Sequence, residues 1–319
     1  MIHNQHCNIY IASCEENGGI YRCRIHKDGI PYIESFAPMD KPMYMTISDG
    51  KMYVLLRAPF QNSSDSGLII YDIGSDGNLT NPSEIYSTKG EVACHLAVDH
   101  GDVFCTNYIS GSIVKMWDKV VSHSGKGVNP YRQQSPHPHF VCLTPDKKYI
   151  CVTDLGVDKV LVYNKDLTLK SIVNIPDGSG PRHLVFHENG RNAFCVNELT
   201  STVTVMSYRD GTFEVEETVR ALPPTDCEST AAAIRCRDNM VFVSNRGHNS
   251  ISFLEFCDDS LTLKKTVPSY GQDPRDFWIE NDLIISANEK SNHVSFVSMR
   301  NDCLLNNLNI KKPVCVVVN

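Results

Sequence analysis

The chain has 319 residues, of which 41% are hydrophobic and 21% charged, so it holds ample material for a folded core. Its formal charge of −7 at pH 7 argues against a nucleic-acid-binding surface, which needs clustered lysine and arginine. The sequence has no run of 18 apolar residues, and it starts with neither a basic nor an apolar leader region. We therefore expect no membrane span and no signal peptide.

One strand-rich unit recurs along the chain. It consists of an apolar strand that usually follows a proline, a turn, a second strand that ends in a polar residue, and a third strand. Its copies start at residues 42, 93, 138, 181, 229, 274 and 313, at intervals of 39 to 51 residues. Short alternating apolar runs bounded by Asp, Asn, Gly and Pro are typical of antiparallel strands. Three or four strands per interval are typical of a β-propeller blade.

The two ends of the chain complement each other. The N-terminal strands NIYIAS and IYRCRI have no leading strand before them, whereas PVCVVV near the C-terminus is a leading strand with nothing after it. Pairing them completes one blade and leaves no free sheet edge. We therefore predict an all-β fold, a single seven-bladed β-propeller domain over residues 1–319 whose ring is closed by the C-terminal strand.

Two further features of the chain are its longest irregular segment and its cysteines. The segment covers about residues 118–136 and is rich in Ser, Gly, Pro and Gln, which is typical of a functional or mobile loop. No two of the thirteen cysteines lie within six residues of each other, so no CxxC or zinc-ribbon spacing exists. We expect mainly buried thiols in a reducing cytoplasm, with a catalytic or redox thiol as the alternative.

Polar residues recur at two positions of the unit. Residues just before or after the leading proline lie at one mouth of a propeller channel, and the ends of the second strands contribute a second ring. The first group comprises His137, His139, Arg182, His183 and Arg275, and the second comprises Asn107, Asp154, Glu198 and Arg246, with His248 close by. Since the apolar positions of these strands form the core, packing alone does not account for the polar ones.

These residue types indicate an anion-binding pocket with acid–base groups. Arg182, Arg246 and Arg275 can hold a phosphate or carboxylate with paired hydrogen bonds, and Glu198 or a histidine can activate water. The alternative is structural: arginines and glutamates of neighbouring blades form ion pairs, with Asp276 as the partner of Arg275. The histidines for which we expect a structural role are His3, His6, His26, His100, His123 and His187.

A metal site is a second alternative. Glu15, Asn107, Asp154 and Glu198 are oxygen donors that could hold Ca²⁺ or Mg²⁺, although Arg182 would oppose a cation. The sequence has no local ligand motif, and it lacks the GxGxxG, P-loop, HExxH and GxSxG patterns of nucleotide-binding proteins, zinc proteases and serine hydrolases. We therefore expect no metal and no cofactor.

Several strings together resemble the lactonase family of seven-bladed propellers, whose members include propeller-type 6-phosphogluconolactonases and carboxymuconate-lactonizing enzymes. They are NPYRQQSPHPHFVCLTPD, VTDLGVDKV, GPRHLVFHENGR, VNELTSTVTV, VSNRGHNSI and DPRDFWI. The resemblance implies a site in the central channel, with His139, Arg182, Glu198 and Arg246 as its catalytic positions. The chain departs from the family pattern at Ala233, where a glutamate is usual, and at Glu289, where a glutamine is usual.

Three functions follow as hypotheses. The first is hydrolysis of an anionic, sugar-derived lactone by a cytoplasmic enzyme that acts as a monomer or homodimer, by resemblance the conversion of 6-phosphogluconolactone to 6-phosphogluconate. In that reaction Glu198 or His139 would be the general base, with His137, His183, Asp154, Asn107, Arg275 and His248 around the substrate. The second is lactone formation by a carboxymuconate cycloisomerase. The third is a propeller without catalysis that binds proteins or senses a ligand, since the fold alone does not establish an enzyme.

Overall fold

The structure is a computed structural model that describes residues 7–57 and 63–319. These residues form strands, turns and loops, and none of them is helical, so they include no helix that could cross a membrane. Two positions predicted to be structural, His3 and His6, lie outside the described residues. The chain divides into two compact units, one within residues 1–87 and 268–319 and the other within residues 88–267. Our expectation of a single domain stays a prediction.

The strands follow the predicted repeat. The first half of the chain contains β1 (Ile9–Ser13), β2 (Gly19–Ile25), β3 (Pro31–Pro38), β4 (Pro42–Ser48), β5 (Lys51–Leu56), β6 (Gly67–Ile73), β7 (Leu79–Thr80), β8 (Tyr86–Ser87), β9 (Ala93–Asp99), β10 (Asp102–Asn107), β11 (Ser112–Lys115), β12 (Lys119–Ser122), β13 (Pro138–Leu143), β14 (Tyr149–Asp154), β15 (Lys159–Asn164) and β16 (Leu169–Asn174). The second half contains β17 (Pro181–Phe186), β18 (Asn192–Asn197), β19 (Thr202–Arg209), β20 (Thr212–Arg220), β21 (Thr230–Arg237), β22 (Met240–Arg246), β23 (Ser250–Cys257), β24 (Ser260–Pro268), β25 (Pro274–Glu280), β26 (Leu283–Asn288), β27 (His293–Ser298), β28 (Leu304–Asn309) and β29 (Pro313–Val318).

The first unit contains three antiparallel sheets among the described residues. One has the order β29-β1-β2-β3, so the C-terminal strand completes the N-terminal sheet as predicted. The second has the order β4-β5-β6-β7 with β8 beside β6, and the third has the order β25-β26-β27-β28. Pro42, Pro274 and Pro313 each begin the first strand of a sheet, a position where the missing N–H of proline costs no ladder hydrogen bond.

The second unit contains four sheets, each built from four consecutive strands: β9 to β12, β13 to β16, β17 to β20 and β21 to β24. Their first strands lie side by side, β9 next to β13, β13 next to β17, and β17 next to β21. The core lies between neighbouring sheets, where Phe194 and Val196 of β18 pack with Val241 and Val243 of β22. Each such buried side chain contributes roughly 1.5–3 kcal/mol of hydrophobic stabilisation.

Two sequence expectations need correction. The segment at residues 118–136 is not wholly irregular, because it contains β12, which pairs with β11 as the outer strand of its sheet. None of the thirteen cysteines, all within the described residues, forms a disulfide bond, but Cys227 and Cys257 are exposed rather than buried. Cys94, Cys105, Cys151 and the other strand cysteines with apolar neighbours are buried or half-buried, as expected of small core residues.

Candidate functional site

The first strands of the second unit carry an irregularity directly after the leading residue. In β13 and β17 the pairing passes from the first residue to the third, so His139 and Arg182 lie outside the regular ladder. In β21 it passes over two residues, Ala232 and Ala233. A β-bulge bends the strand and changes the direction of the extra residue's side chain. His139 and Arg182 therefore occupy bulge positions, where they do not belong to the apolar alternation of the strand, whereas His183 pairs with Val196 in the ladder.

Glu198 follows β18 directly, and its carboxylate is the centre of the candidate site. Oε1 accepts a hydrogen bond from Arg132 Nη2 at 2.5 Å, and Oε2 accepts from Arg182 Nε at 3.1 Å. Arg246 Nη2 lies 2.9 Å from Oε2 as a third ion-pair partner. Only 5% of the Glu198 side chain is exposed. Three guanidiniums thus surround one carboxylate, which leaves this group of four side chains with an excess of two positive charges.

The three arginines determine the protonation state of Glu198. Burial alone raises the pKa of the carboxyl, but the charges of Arg246, Arg182 and Arg132 outweigh it and lower the pKa to about 2. Glu198 is therefore ionised at neutral pH. A carboxylate with such a low pKa and three cationic partners is a weak general base, because efficient bases have a pKa near the working pH. Its geometry suits it to hold the guanidiniums in place.

Arg182 is enclosed by protein, with 2% of its side chain exposed. Besides the contact with Glu198, its Nη1 donates to the Ala232 carbonyl oxygen at 2.7 Å and lies 3.0 Å from His183 Nε2. A guanidinium can only donate, so Nε2 of His183 is the acceptor and the neutral ring carries its proton on Nδ1. We predicted direct substrate contact for Arg182 and His183. In the structure Arg182 bridges Glu198 and this histidine, and its contact with substrate stays a prediction.

A group of histidine rings lies beside Arg182. The ring centroids of His95 and His183 are 5.5 Å apart, and those of His139 and His183 are 5.3 Å apart. Burial lowers the pKa of both His95 and His183 well below the usual value, and the nearby Arg182 and Arg235 charges lower it further. Both rings are therefore neutral at pH 7. Nδ1 of His183 is buried without a hydrogen-bond partner in the described part of the chain, so it is a donor that a bound water or ligand oxygen would satisfy.

His137 stands apart from that group and packs on Tyr108. The two rings are stacked with centroids 4.3 Å apart, and His137 Nδ1 lies 2.9 Å from the Tyr108 carbonyl oxygen. A carbonyl oxygen only accepts, so Nδ1 carries a proton, and this contact selects the tautomer whose Nε2 holds the lone pair. His137 is half-buried, whereas His139 is 6% exposed. The sequence left open which histidine faces the site, and the structure gives each of them a different environment.

Asp154 holds the backbone of His137 in place through a hydrogen bond. Its Oδ1 accepts the backbone N–H of His137 at 2.7 Å, and its Oδ2 lies 2.6 Å from His123 Nδ1. His123 Nε2 in turn lies 2.9 Å from the Tyr163 hydroxyl. Asp154 is fully buried. Its carboxylate thus holds the start of β13, and the contact with substrate that we predicted for Asp154 stays a prediction.

Arg132 is a member of the candidate site that the repeat pattern did not predict. It lies on the loop between β12 and β13, outside the repeat pattern, and it reaches Glu198 66 positions further along the chain. It also makes a side-chain hydrogen bond with Tyr108. Burial raises the pKa of the Tyr108 hydroxyl, and this effect outweighs the opposite effect of the Arg132 charge. The signal that could have indicated Arg132 is the string NPYRQQ, which ends two residues before HPH in a loop too long for a simple connection.

Other predicted residues have partners of their own. Asn107 is fully buried, and its amide donates to the Thr88 carbonyl oxygen at 2.9 Å. His248 Nδ1 lies 2.8 Å from Ser250 Oγ. We therefore find both side chains engaged in the packing of their own sheets.

Arg275 belongs to the first unit. Its Nη1 lies 3.1 Å from Glu289 Oε2. The expectation that Asp276 is the ion-pair partner of Arg275 is therefore wrong. Asp276 instead accepts the backbone N–H of Val316 at 3.0 Å. The negative charge that Glu289 adds relative to the family pattern is thus matched by Arg275.

The oxygen donors considered for a metal have other partners. Glu15 pairs with Lys312 at 2.9 Å, Asp154 pairs with His123, and Glu198 pairs with three arginines. Within residues 7–57 and 63–319, no group of three or more His, Cys, Asp or Glu side chains is arranged to hold a metal ion. These residues do not fit the metal site that we considered.

Comparison with known proteins identifies the family. The family model described as "Lactonase, 7-bladed beta-propeller" matches residues 8–318. The chain belongs to this lactonase family. The prediction of a seven-bladed β-propeller is thereby confirmed, with each of the seven sheets forming one blade.

Similar proteins are known for this lactonase-family propeller. An uncharacterized protein of Staphylococcus aureus is 31% identical over 92% of this chain and 93% of its own length. The structure of a candidate 6-phosphogluconolactonase from Bacteroides fragilis has a TM-score of 0.88 and 22% identity, and covers 100% of this chain and 99% of that one. The periplasmic gluconolactonase PpgL of Pseudomonas aeruginosa has a TM-score of 0.88 and 22% identity over 98% of both chains. These two structural likenesses show the shared propeller fold.

The departure of this lactonase-family chain at Ala233 has a local consequence. Ala233 and Ala232 form the two-residue bulge of β21 and are fully buried. The Ala233 N–H donates to Ser244 Oγ at 2.9 Å, while the carbonyl oxygen of Ala232 accepts from Arg182. Backbone atoms of the bulge therefore contact the site where the family pattern has a glutamate side chain.

Proposed function

We propose that this protein hydrolyses an anionic, sugar-derived lactone, and that 6-phosphoglucono-1,5-lactone is its substrate. The observation that carries the proposal is the convergence of Arg132, Arg182 and Arg246 on Glu198 beside neutral histidines. The excess positive charge favours an anionic ligand, and membership of the lactonase family supports a lactone. The names of the similar Bacteroides fragilis and Pseudomonas aeruginosa proteins agree with a gluconolactone.

The general base in this proposal is His137 rather than Glu198. The Tyr108 carbonyl oxygen fixes the ring so that Nε2 holds the lone pair, and the ring is accessible enough to meet a water molecule. A base that a third group orients in this way is typical of acid–base sites. Glu198, with its low pKa and three cationic partners, holds the arginines.

The reaction needs one activated water and no covalent intermediate. His137 Nε2 takes a proton from water as the water oxygen bonds to the lactone carbonyl carbon. The bond between this carbon and the ring oxygen then breaks, and the ring oxygen takes the proton that His137 Nε2 had accepted, which makes it a hydroxyl group and returns the histidine to its neutral form. The product is a hydroxy acid, which ionises at neutral pH. Since the lactone already opens in water, positioning and one base, worth about 10²–10⁴-fold, provide sufficient catalysis.

The decisive experiment is hydrolysis of freshly generated 6-phosphogluconolactone, coupled to 6-phosphogluconate dehydrogenase, with and without a chelator. We expect a rate well above spontaneous opening that the chelator leaves unchanged. His137→Asn should lower kcat by roughly 100-fold or more. The matched control is His100→Asn, because 82% of the His100 side chain is exposed and it lies outside the site. It should retain the wild-type rate.

Other outcomes would redirect the proposal. A protein that does not accelerate hydrolysis of this lactone, but closes a carboxylated muconate to a lactone, would be a cycloisomerase. Loss of activity with chelator, followed by its return on adding a divalent cation, would contradict a reaction that depends on His137 alone. Equal rates for His137→Asn and the wild type would remove His137 from the base role and leave His139 as the histidine to test.

A further inference from the structure

On the basis of the proposed lactonase function, we propose that Arg132 binds the phosphate group of the substrate. The loop that carries it would then select phosphorylated lactones over uncharged ones. Neither the resemblance to the family nor the repeat pattern assigns a role to this residue.

The first argument is accessibility. Three guanidiniums contact Glu198, but 41% of the Arg132 side chain is exposed, compared with 2% for Arg182 and 15% for Arg246. Arg182 also has contacts with His183 and the Ala232 carbonyl oxygen. Arg132 is therefore the arginine of this group with the most surface available to an incoming ligand.

The second argument is that the loop holds Arg132 in a defined position. Gln133, the next residue, is fully buried, and its Nε2 donates to the Leu155 carbonyl oxygen at 2.9 Å. Its Oε1 accepts the backbone N–H of Asn129 at 3.0 Å, and Asn129 Oδ1 accepts the N–H of Arg132 at 3.1 Å. A binding residue that is already ordered loses less conformational entropy when its ligand arrives.

The third argument concerns charge. The group of Glu198 and its three arginines carries two more positive charges than negative ones. A phosphate monoester carries about −1.5 to −2 at pH 7, so it balances this excess, whereas one carboxylate supplies half as much. A guanidinium has five N–H donors in a planar fork, of which Glu198 and Tyr108 use only part. Arg132 can therefore keep Glu198 and still donate to phosphate oxygens.

The test compares selectivity between a phosphorylated and an unphosphorylated lactone. We would measure kcat/KM for 6-phosphogluconolactone and glucono-1,5-lactone with wild type, Arg132→Gln and Arg132→Lys. Arg132→Gln should reduce the ratio of the two values by roughly 10- to 100-fold, the range for a lost hydrogen bond to a charged group. Arg132→Lys should retain part of the selectivity, because the charge remains while the fork is lost. Equal loss on both lactones would show a merely structural role and overturn the proposal.

A binding experiment separates this proposal from the lactonase function itself. Calorimetric titration with 6-phosphogluconate and with gluconate needs no turnover. Arg132→Gln should weaken 6-phosphogluconate binding by roughly 10- to 100-fold. Arg220→Gln is the matched control, since Arg220 is exposed on β20, and it should bind like wild type. If 6-phosphogluconate binding depends on Arg132 but the protein has no lactonase activity, the proposed function is wrong and this inference stands. Unchanged binding in Arg132→Gln would sink this inference alone.

Discussion

Arg132 and Glu198 are 66 positions apart in the chain, yet Arg132 Nη2 lies 2.5 Å from Glu198 Oε1. The contact joins a loop that precedes β13 to the turn that follows β18, and so links two consecutive blades. Because Arg182 and Arg246 share the other carboxylate oxygen, Glu198 holds three guanidiniums from three different parts of the second unit. The site therefore depends on this one carboxylate for its cationic arrangement.

Replacing Glu198 with Gln should reduce both activity and stability. The substitution keeps the shape of the side chain but leaves three close guanidiniums without a counter-charge. Removing one partner of a buried ion pair typically costs about 3–5 kcal/mol. We expect kcat/KM to fall by roughly 100-fold or more, and the melting temperature to fall by several degrees. Glu216→Gln is the control, since Glu216 is exposed on β20. An unchanged melting temperature in Glu198→Gln would show that the three arginines do not depend on this charge.

Replacing Gly127 with Ala should disturb Arg132 without touching it. A Cβ atom at Gly127 would lie 2.5 Å from the side-chain amide of Gln133, which is closer than a real Cβ atom approaches a non-bonded neighbour. Gln133 is the buried anchor of the loop, so we expect the loop to shift and kcat/KM for the phosphorylated lactone to fall. Melting curves and kinetics of Gly127→Ala, Gln133→Ala and the double variant measure the coupling. The double variant should lose less stability and activity than the two single variants lose together, because Gln133→Ala removes the side chain with which the new Cβ atom would clash. Strict additivity would place the effect of Gly127→Ala elsewhere.

The fold could be predicted from the sequence because its signals repeat. Proline begins β4, β13, β17, β25 and β29, and the alternating apolar runs after each proline are the strands. The incomplete first repeat and the lone last strand also predicted that β29 would pair with β1. Each of these signals is local and occurs several times, so the errors of single positions cancel.

The site was predicted only in part, for physical reasons that individual residues illustrate. Glu198, Arg182 and Arg246 lie at repeat positions, so their alignment predicted that they would meet. Arg132 lies in a loop outside the repeat, and the loop's course depends on the buried Gln133. Asp154 lies at a repeat position too, but its role depends on His123, whose approach no local pattern indicates.

His123 and Asp154 offer a test of how β13 is positioned. Replacing His123 with Phe would remove the partner of Asp154 Oδ2 and leave a fully buried carboxylate with only backbone donors. We expect a loss of roughly 1–3 kcal/mol in unfolding free energy, the cost of an unsatisfied buried group, and a lower kcat because Asp154 holds the backbone of His137. The double variant His123→Phe with Asp154→Asn should recover part of the stability, because it removes the buried charge. A double variant less stable than His123→Phe would contradict this account.

The pH dependence of stability should have two parts with the same sign. The folded-state pKa of His95 and His183 lies well below the ordinary 6.5, so the unfolded chain binds more protons there and stability is lost as the pH falls below about 6.5. Each of these histidines contributes a slope of about 1.4 kcal/mol per pH unit until it is protonated in the folded state. Glu198, with a folded-state pKa of about 2 against the ordinary 4.5, adds a further loss of stability as the pH falls between these two values.

Urea unfolding at several pH values between 4 and 8 measures the slope. His95→Phe keeps a buried ring beside Phe140 and should lower the slope just below pH 6.5 by the contribution of one histidine, while Glu198→Gln should leave that region unchanged. The same slope in His95→Phe and wild type would mean that His95 does not titrate differently in the two states.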